Sequence, residues 1–252
     1  MNRVEALNKY LLKLGDSSLI QGHRLSEWCS KGPILEEDLA LTNMALDHIG
    51  RAQLLLDYAA DCEGEGKTAD DLAYKRAERN FYNPLITELP IGDFAYTMIK
   101  HFLVSAYEYF LYTELTESKD ERLAGIAQKA IKETRYHLAH TNDWCMRLGK
   151  GTSESNSRMQ TALDDLWAYT GELFEVHEEE KLLIAEGIIP NPKDFYQKWS
   201  DLVMETLRDA ELIFPEVSYM HTGSHKGIHT EYLGHLLCEM QYLQRAYPDA
   251  KW

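Results

Sequence analysis

The stretch Leu123–Leu148 reads LAGIAQKAIKETRYHLAHTNDWCMRL, and its periodicity decides the fold. Leu123, Ala127, Ala130, Thr134, His137, Thr141, Trp144 and Leu148 step by four and three, the spacing that lines side chains along one face of an α-helix. Asp120 just ahead is a natural cap for that helix. A long helix with one face turned to a core is therefore predicted. Glu133 and His137 sit in its middle, one turn apart. A carboxylate four residues before a histidine has the orientation for an ion pair or hydrogen bond along the helix, so the pair reads as structural.

Working outward, residues 3–14 and 16–30 read as two short helices. Gly15 breaks them, and Asp16, Ser17 and Ser18 supply capping groups. Leu35–Cys62 is a long helix with an expected inward stripe of Leu35, Leu39, Thr42, Leu46, Ile49, Gln53, Leu56 and Ala60, closed by Gly64 and Gly66. A shorter helix is expected over 69–79. Asp93 can cap a helix from Phe94 to about Ser118, which is crowded with Phe102, Tyr107, Tyr109, Phe110 and Tyr112. After a polar loop, GKGTSESNS (149–157), helical spacing resumes with Met159, Leu163 and Leu166. A helix over about 194–210, an irregular stretch from Phe214 to His229 and a last helix from Thr230 to Tyr247, stopped by Pro248, complete the chain. No useful strand-like alternation or internal repeat is evident. The expected fold is all-α: one domain over 1–252, a ferritin-like antiparallel helical bundle with additional short helices.

Composition narrows the function. A formal charge of −15 and a pI near 5.1 would repel phosphates, so neither nucleic acid nor an anionic membrane is expected as the main partner. No run approaches the roughly 20 apolar residues of a membrane span. Cys29, Cys62, Cys145 and Cys238 form no Cys-x-x-Cys and fall within helical patterns, as expected for reduced thiols serving as small core residues in a cytoplasmic protein. Nothing resembles a nucleophile elbow, a phosphate-binding glycine loop or a zinc framework.

A metal-binding bundle of this shape would show Glu-x-x-His on two helices. None of the ten histidines has Glu three residues before it; at His137 that position is Thr134, and at His101 it is Met98. No catalytic residue, metal or cofactor is therefore expected in this chain. A vestigial metal site would have to draw on Asp47, Glu108, Glu133 and His137. Glu108 stands alone among aromatic residues, and a core hydrogen bond or ion pair is its expected role. Asp47 and His48 point about 100° apart on a helix and cannot both face inward. His221, His225 and His229 are spaced by four, but Gly223 and Gly227 interrupt them. The segment HTGSHKGIHT therefore reads as a loop in which His225, Lys226 and His229 could meet a partner or an anionic ligand.

The runs LALTNMALDHIGRAQ (39–53), AIKETRYHL (130–138) and, above all, KGIHTEYLGHLLCEMQYLQRAYPDAKW (226–252) resemble the C subunits of bacterial phenylacetyl-CoA epoxidases, also called phenylacetate-CoA oxygenases. The likeness extends from Leu14 to Trp252. It implies a non-catalytic, structural chain that stabilises a catalytic di-iron A subunit, which binds the CoA ester and activates dioxygen. A small B subunit and a reductase working with FAD, an iron–sulfur centre and NADPH complete such a system, so those cofactors are expected in partner chains. The aromatic helix from Phe94 to Ser118 is the expected contact with the catalytic subunit. The alternative is a ferritin-like oxidase in its own right, with unorthodox ligands at Asp47, Glu108, Glu133 and His137. A homo-oligomer is a further state open to the isolated chain.

Overall fold

The computed structural model describes residues 2–248 and 250. In chain order the α-helices are α1 (Arg3–Ser26), α2 (Leu35–Glu63), α3 (Ala69–Tyr74), α4 (Leu85–Glu88), α5 (Phe94–Leu115), α6 (Glu121–Gly149), α7 (Ser153–Trp167), α8 (Glu178–Ala185), α9 (Pro192–Asp209), α10 (Glu231–Met240) and α11 (Tyr242–Ala246). Short 3-10 turns cover Glu78–Asn80, Gly171–Phe174 and Ser224–Lys226. No strand occurs among the described residues, so the all-α expectation holds. The chain divides into two compact units, the first made of the residues up to Pro90 together with those from Gly223 onward and the second of Ile91–Thr222.

The first unit is built on α1 and α2. Asn2 and Glu5 close α1 with a capping box, and Gly64, in the left-handed region at φ 68°, closes α2. The contacts run in opposite directions along the two helices: Asn8 Nδ2 donates to the Ala59 carbonyl at 2.8 Å, Gly15 lies against Leu56, and Gly22 lies against Ile49 and Ala45. The pair is therefore antiparallel. A Cβ on Gly15 would come within 2.7 Å of Leu56. That approach corrects the expected break after Gly15: α1 is continuous, and the glycine is there because the neighbouring helix leaves no room for a side chain.

The inward face of α2 also differs from expectation. Leu41, Met44, Ala45, His48, Arg51, Ala52, Leu55, Leu56, Ala59 and Ala60 are buried, whereas Leu35, Leu39 and Leu46 are exposed. Two apolar stripes share this helix, and spacing alone does not say which one meets the core. His48, not Asp47, faces inward. Arg51 Nη2 approaches His48 Nδ1 at 2.8 Å; because a guanidinium only donates, Nδ1 accepts and the imidazole carries its proton on Nε2.

The second unit is built on α5 and α6, capped by Asp93 and Asp120, whose carboxylates accept from the Tyr96 and Leu123 amides as expected. Phe94 meets Trp144 edge-on with ring centroids 5.0 Å apart, while His101, farther along α5, lies within electrostatic reach of His137 and His140. This pair is antiparallel too. The predicted α6 stripe is buried from Leu123 through Thr141. α9 packs on the unit through Trp199, whose Nε1 donates to the Leu103 carbonyl at 3.2 Å. The expected last helix is interrupted at Gln241, whose buried side chain leaves its own helix to donate to the carbonyls of Ala73 and Arg76. The four long helices, of 24, 29, 22 and 29 residues, in two antiparallel pairs with short helices added, are the make-up of ferritin-like helical proteins.

Candidate functional site

In the second unit, the positions with chemical potential lie on α5 and α6. Lys100, His101 and Glu108 of α5 are buried, as is His137 of α6; Glu133 and His140 are half-buried. Tyr136 covers the outside, its ring 6.2 Å from that of His137 and 6.0 Å from that of His140. Burial holds the His101 pKa well below its ordinary value, and electrostatic interaction with Lys100, His137 and His140 lowers it further. His101 is thus a neutral imidazole near neutral pH, chiefly because it is enclosed.

The Glu-x-x-His spacing of a di-metal bundle is absent at these residues. Thr134, in the place of the motif's glutamate, donates its hydroxyl to the Ala130 carbonyl at 2.8 Å, and Thr141 donates to the His137 carbonyl at 2.8 Å. Both side chains serve their own helix. Among the described residues, Glu108, Glu133 and His137 do not come together as three ligand atoms around one point. Asp47 belongs to the other unit, half-buried at the flank of α2.

The second unit also holds an open cleft of about 630 Å³, lined by Trp167, Phe174, Tyr196, Trp199, Phe214 and Met220 among others. Its lining contains one carboxylate, Glu216, and no histidine, lysine or arginine. It has no acid–base or nucleophilic pair.

Sequence reasoning missed a buried polar cluster inside the first unit. Glu88, completely buried, receives the Thr230 amide on Oε1 at 2.6 Å, and the Asn83 amide at 2.9 Å and His229 Nδ1 at 2.8 Å on Oε2. His229 Nε2 lies 2.8 Å from the Phe81 carbonyl. A carbonyl and a carboxylate both accept, so both ring nitrogens carry protons and the ring is an imidazolium. Burial works against that charge, but the hydrogen bond and charge of Glu88, aided by the Phe81 carbonyl and Asp16, outweigh it and raise the His229 pKa above 6.5. Arg24 donates to the Glu88 carbonyl through Nε and Nη2 at 3.0 and 2.8 Å, and to the Tyr232 carbonyl at 3.1 Å.

Beside it, Arg76 grips the buried Asp16 carboxylate with both terminal nitrogens, and the Tyr82 amide adds a bond at 3.0 Å. Burial pushes the Asp16 pKa above 3.8, with Arg76 and Tyr82 pulling the other way. Asp16, expected as a helix cap, is instead a core ion. The structure thus separates the residues of the predicted partner loop. His229 is enclosed, its side chain fully buried against Glu88, whereas Lys226 is exposed and His225 half-buried. Gly227 keeps the turn tight: at φ 67°, a Cβ would fall 2.0 Å from the Arg79 carbonyl oxygen. The expected aromatic contact helix is also corrected, because α5 is buried from Thr97 through Glu108 and again at Leu111, Tyr112 and Leu115.

An all-helical chain built on two antiparallel pairs of long helices matches one class of proteins from end to end. The model of the phenylacetic acid catabolic protein family covers residues 1–252, and the chain belongs to that family. It is 45% identical to the C subunit of the 1,2-phenylacetyl-CoA epoxidase of Escherichia coli (strain K12) over 246 residues, which is 98% of this chain and 99% of the relative.

Proposed function

We propose that this chain is the non-catalytic C subunit of a phenylacetyl-CoA epoxidase, stabilising the catalytic di-iron A subunit in aerobic phenylacetate catabolism. The end-to-end likeness to such a C subunit carries this reading, and the residues of α5 and α6, with Lys100 buried beside His101 and Thr134 where the motif would have a glutamate, support it. The chain acts as one ferritin-like unit of the complex in the cytoplasm and holds no metal. Its described helices include none long and apolar enough to cross a membrane. Glu133 and His137 serve the stability of α6. Di-iron, FAD, iron–sulfur and NADPH chemistry belongs to the catalytic subunit and to the reductase, with the small B subunit completing the complex.

Reconstitution tests the proposal. The catalytic subunit, the small B subunit, reductase and phenylacetyl-CoA are combined with and without this chain, and epoxide formation and the solubility of the catalytic subunit are followed. Full turnover and full solubility of the catalytic subunit without this chain would refute the structural role. Close to two iron atoms per purified chain would refute the absence of metal.

A further inference from the structure

In the second unit, the irregular segment from Ile213 to His221 is pinned at both ends. Gln160 exchanges two hydrogen bonds with the backbone of Ile213, at 2.8 and 2.9 Å, and the His221 amide donates to the Ala168 carbonyl at 2.7 Å. Between these anchors Met220 lies so close to Gly171 that a Cβ there would meet it at 2.8 Å. The segment is thereby held as one wall of the open cleft of about 630 Å³. The rings of that cleft lie in more than one plane. Trp167 and Trp199 stack at 25° with centroids 5.8 Å apart, Phe214 stands edge-on to Trp167 at 4.5 Å, and Tyr196 stands edge-on to Phe174 at 4.9 Å. The indole N–H of Trp199 is already spent on the Leu103 carbonyl. Tyr196 and Phe214 remain 45% and 42% exposed, so the mouth of the cleft offers aromatic surface to an occupant.

We propose that this cleft is a binding site for a small organic cation, an alkylated ammonium group held against the aromatic rings with Glu216 as its counter-charge. Aromatic faces are electron-rich and attract a cation lying over them, most strongly for tryptophan. Glu216 is the one charged side chain in the lining, and it has no hydrogen-bond or ion-pair partner among the described residues. A carboxylate left without a partner beside five rings sets a negative potential that a cation would neutralise. An anionic ligand would meet no lysine, arginine or histidine in the lining, on a chain whose net charge is already −15. A guanidinium brings five N–H donors that need acceptors, and a wall made mostly of rings serves them poorly. A quaternary ammonium has no N–H to satisfy, and its methyl groups pack on rings as apolar groups do. The volume lies within the range of small-molecule sites, and the pinned wall means that little ordering is needed on binding.

The test titrates choline into the full-length chain by calorimetry, beside dimethylbutanol, the uncharged isostere in which carbon replaces the nitrogen. Choline should saturate one site and bind about threefold to thirtyfold more tightly than the isostere. Phe214→Leu, which keeps an apolar side chain but removes a ring, should weaken choline several-fold and leave the isostere nearly unchanged. Glu216→Gln should weaken choline alone. Both side chains are exposed, so neither variant should lower the melting temperature, and circular dichroism checks that both are folded. Two further probes, phenylacetate and N-acetylarginine amide, should bind more weakly than choline. The inference is overturned if choline does not saturate, if the isostere binds equally well, or if both variants bind choline as wild type does. Tighter binding of phenylacetate would make the cleft an anion or neutral-ring site, and tighter binding of the arginine probe would make it a seat for a protein side chain; either result also overturns it.

Discussion

Glu88→Gln is the most informative single change in the first unit. The carboxylate receives three donors, from Thr230, Asn83 and His229, at 2.6–2.9 Å with no exposure to water. Glutamine matches its shape but has only one oxygen. With that oxygen toward His229 and Asn83, its NH₂ faces the Thr230 amide; turned round, it faces two donors. At best one buried donor stays unsatisfied, at about 1–3 kcal/mol, and the charge-assisted bond to His229, about 1.5–3 kcal/mol, is lost. The total is about 3–5 kcal/mol, the usual cost of removing one partner of a buried pair. For a chain of this size that is a fall of roughly 10 °C in melting temperature. Hydrogen exchange locates the effect, because Glu88 ties the segment from Gly223 to Thr230 to the end of α4. Amides in that segment should exchange faster in the variant while those of α6 do not change. A variant melting with wild type and showing unchanged exchange there would refute the argument that this pair holds the segment.

The histidines predict opposite arms of a pH profile. His229 has its folded pKa raised above 6.5, so its contribution is full below that value and is lost as pH rises through the folded pKa. His101 and His23 have lowered folded pKa values, mainly through burial; they cost stability as pH falls below 6.5. Urea midpoints measured from about pH 5.5 to 9 should therefore decline on both sides of neutrality, with His229→Gln flattening the alkaline arm and His101→Asn the acid arm. Glycine substitutions should separate by location. Gly15→Ala forces a contact with Leu56 and should cost about 1–3 kcal/mol, whereas Gly50→Ala meets open space and should stabilise the isolated chain by up to about 1 kcal/mol. Thiol titration should find Cys29 and Cys238 reactive in the folded chain and Cys145 silent until denaturant is added, since Cys145 is enclosed and burial raises its pKa.

The features legible in the sequence are those that depend on near neighbours. The caps at Asp93 and Asp120 and the inner stripe of α6 need only the residues within a turn or two, and each is where spacing places it. Gly15 was not legible, because a glycine that ends a helix and one that admits a neighbouring helix look alike until Leu56 is brought to it. The inward face of α2 was ambiguous for a different reason: leucines at heptad spacing mark a helix-packing seam, and the seam from Leu35 to Leu46 is turned away from the core. Asp16, Glu88 and Lys100 carry no local sign of burial. Asp16 meets Arg76 and Tyr82 sixty or more positions on, and Glu88 meets His229 across 141. The expectation that all four cysteines fill the core failed at Cys29 and Cys238, which are exposed.

The buried ions and the exposed leucines of the first unit answer the same requirement. Replacing a buried ion pair with apolar residues is often neutral or stabilising, so Glu88–His229 and Asp16–Arg76 are poor candidates for retention on stability grounds alone. What they add is position: hydrogen bonds with fixed directions seat the segment after Gly223 in one register, while Gly15 and Gly22 let α1 lie directly against the inner face of α2. A helix fixed this closely on its inner side presents its outer side in one orientation. Association costs fall when the contacting surface is ordered beforehand, because fewer side chains and no backbone need be immobilised on binding. The structural role proposed above calls for such rigidity in a helix that offers a surface, and in this chain both the glycine contacts and the seam of exposed leucines converge on α2.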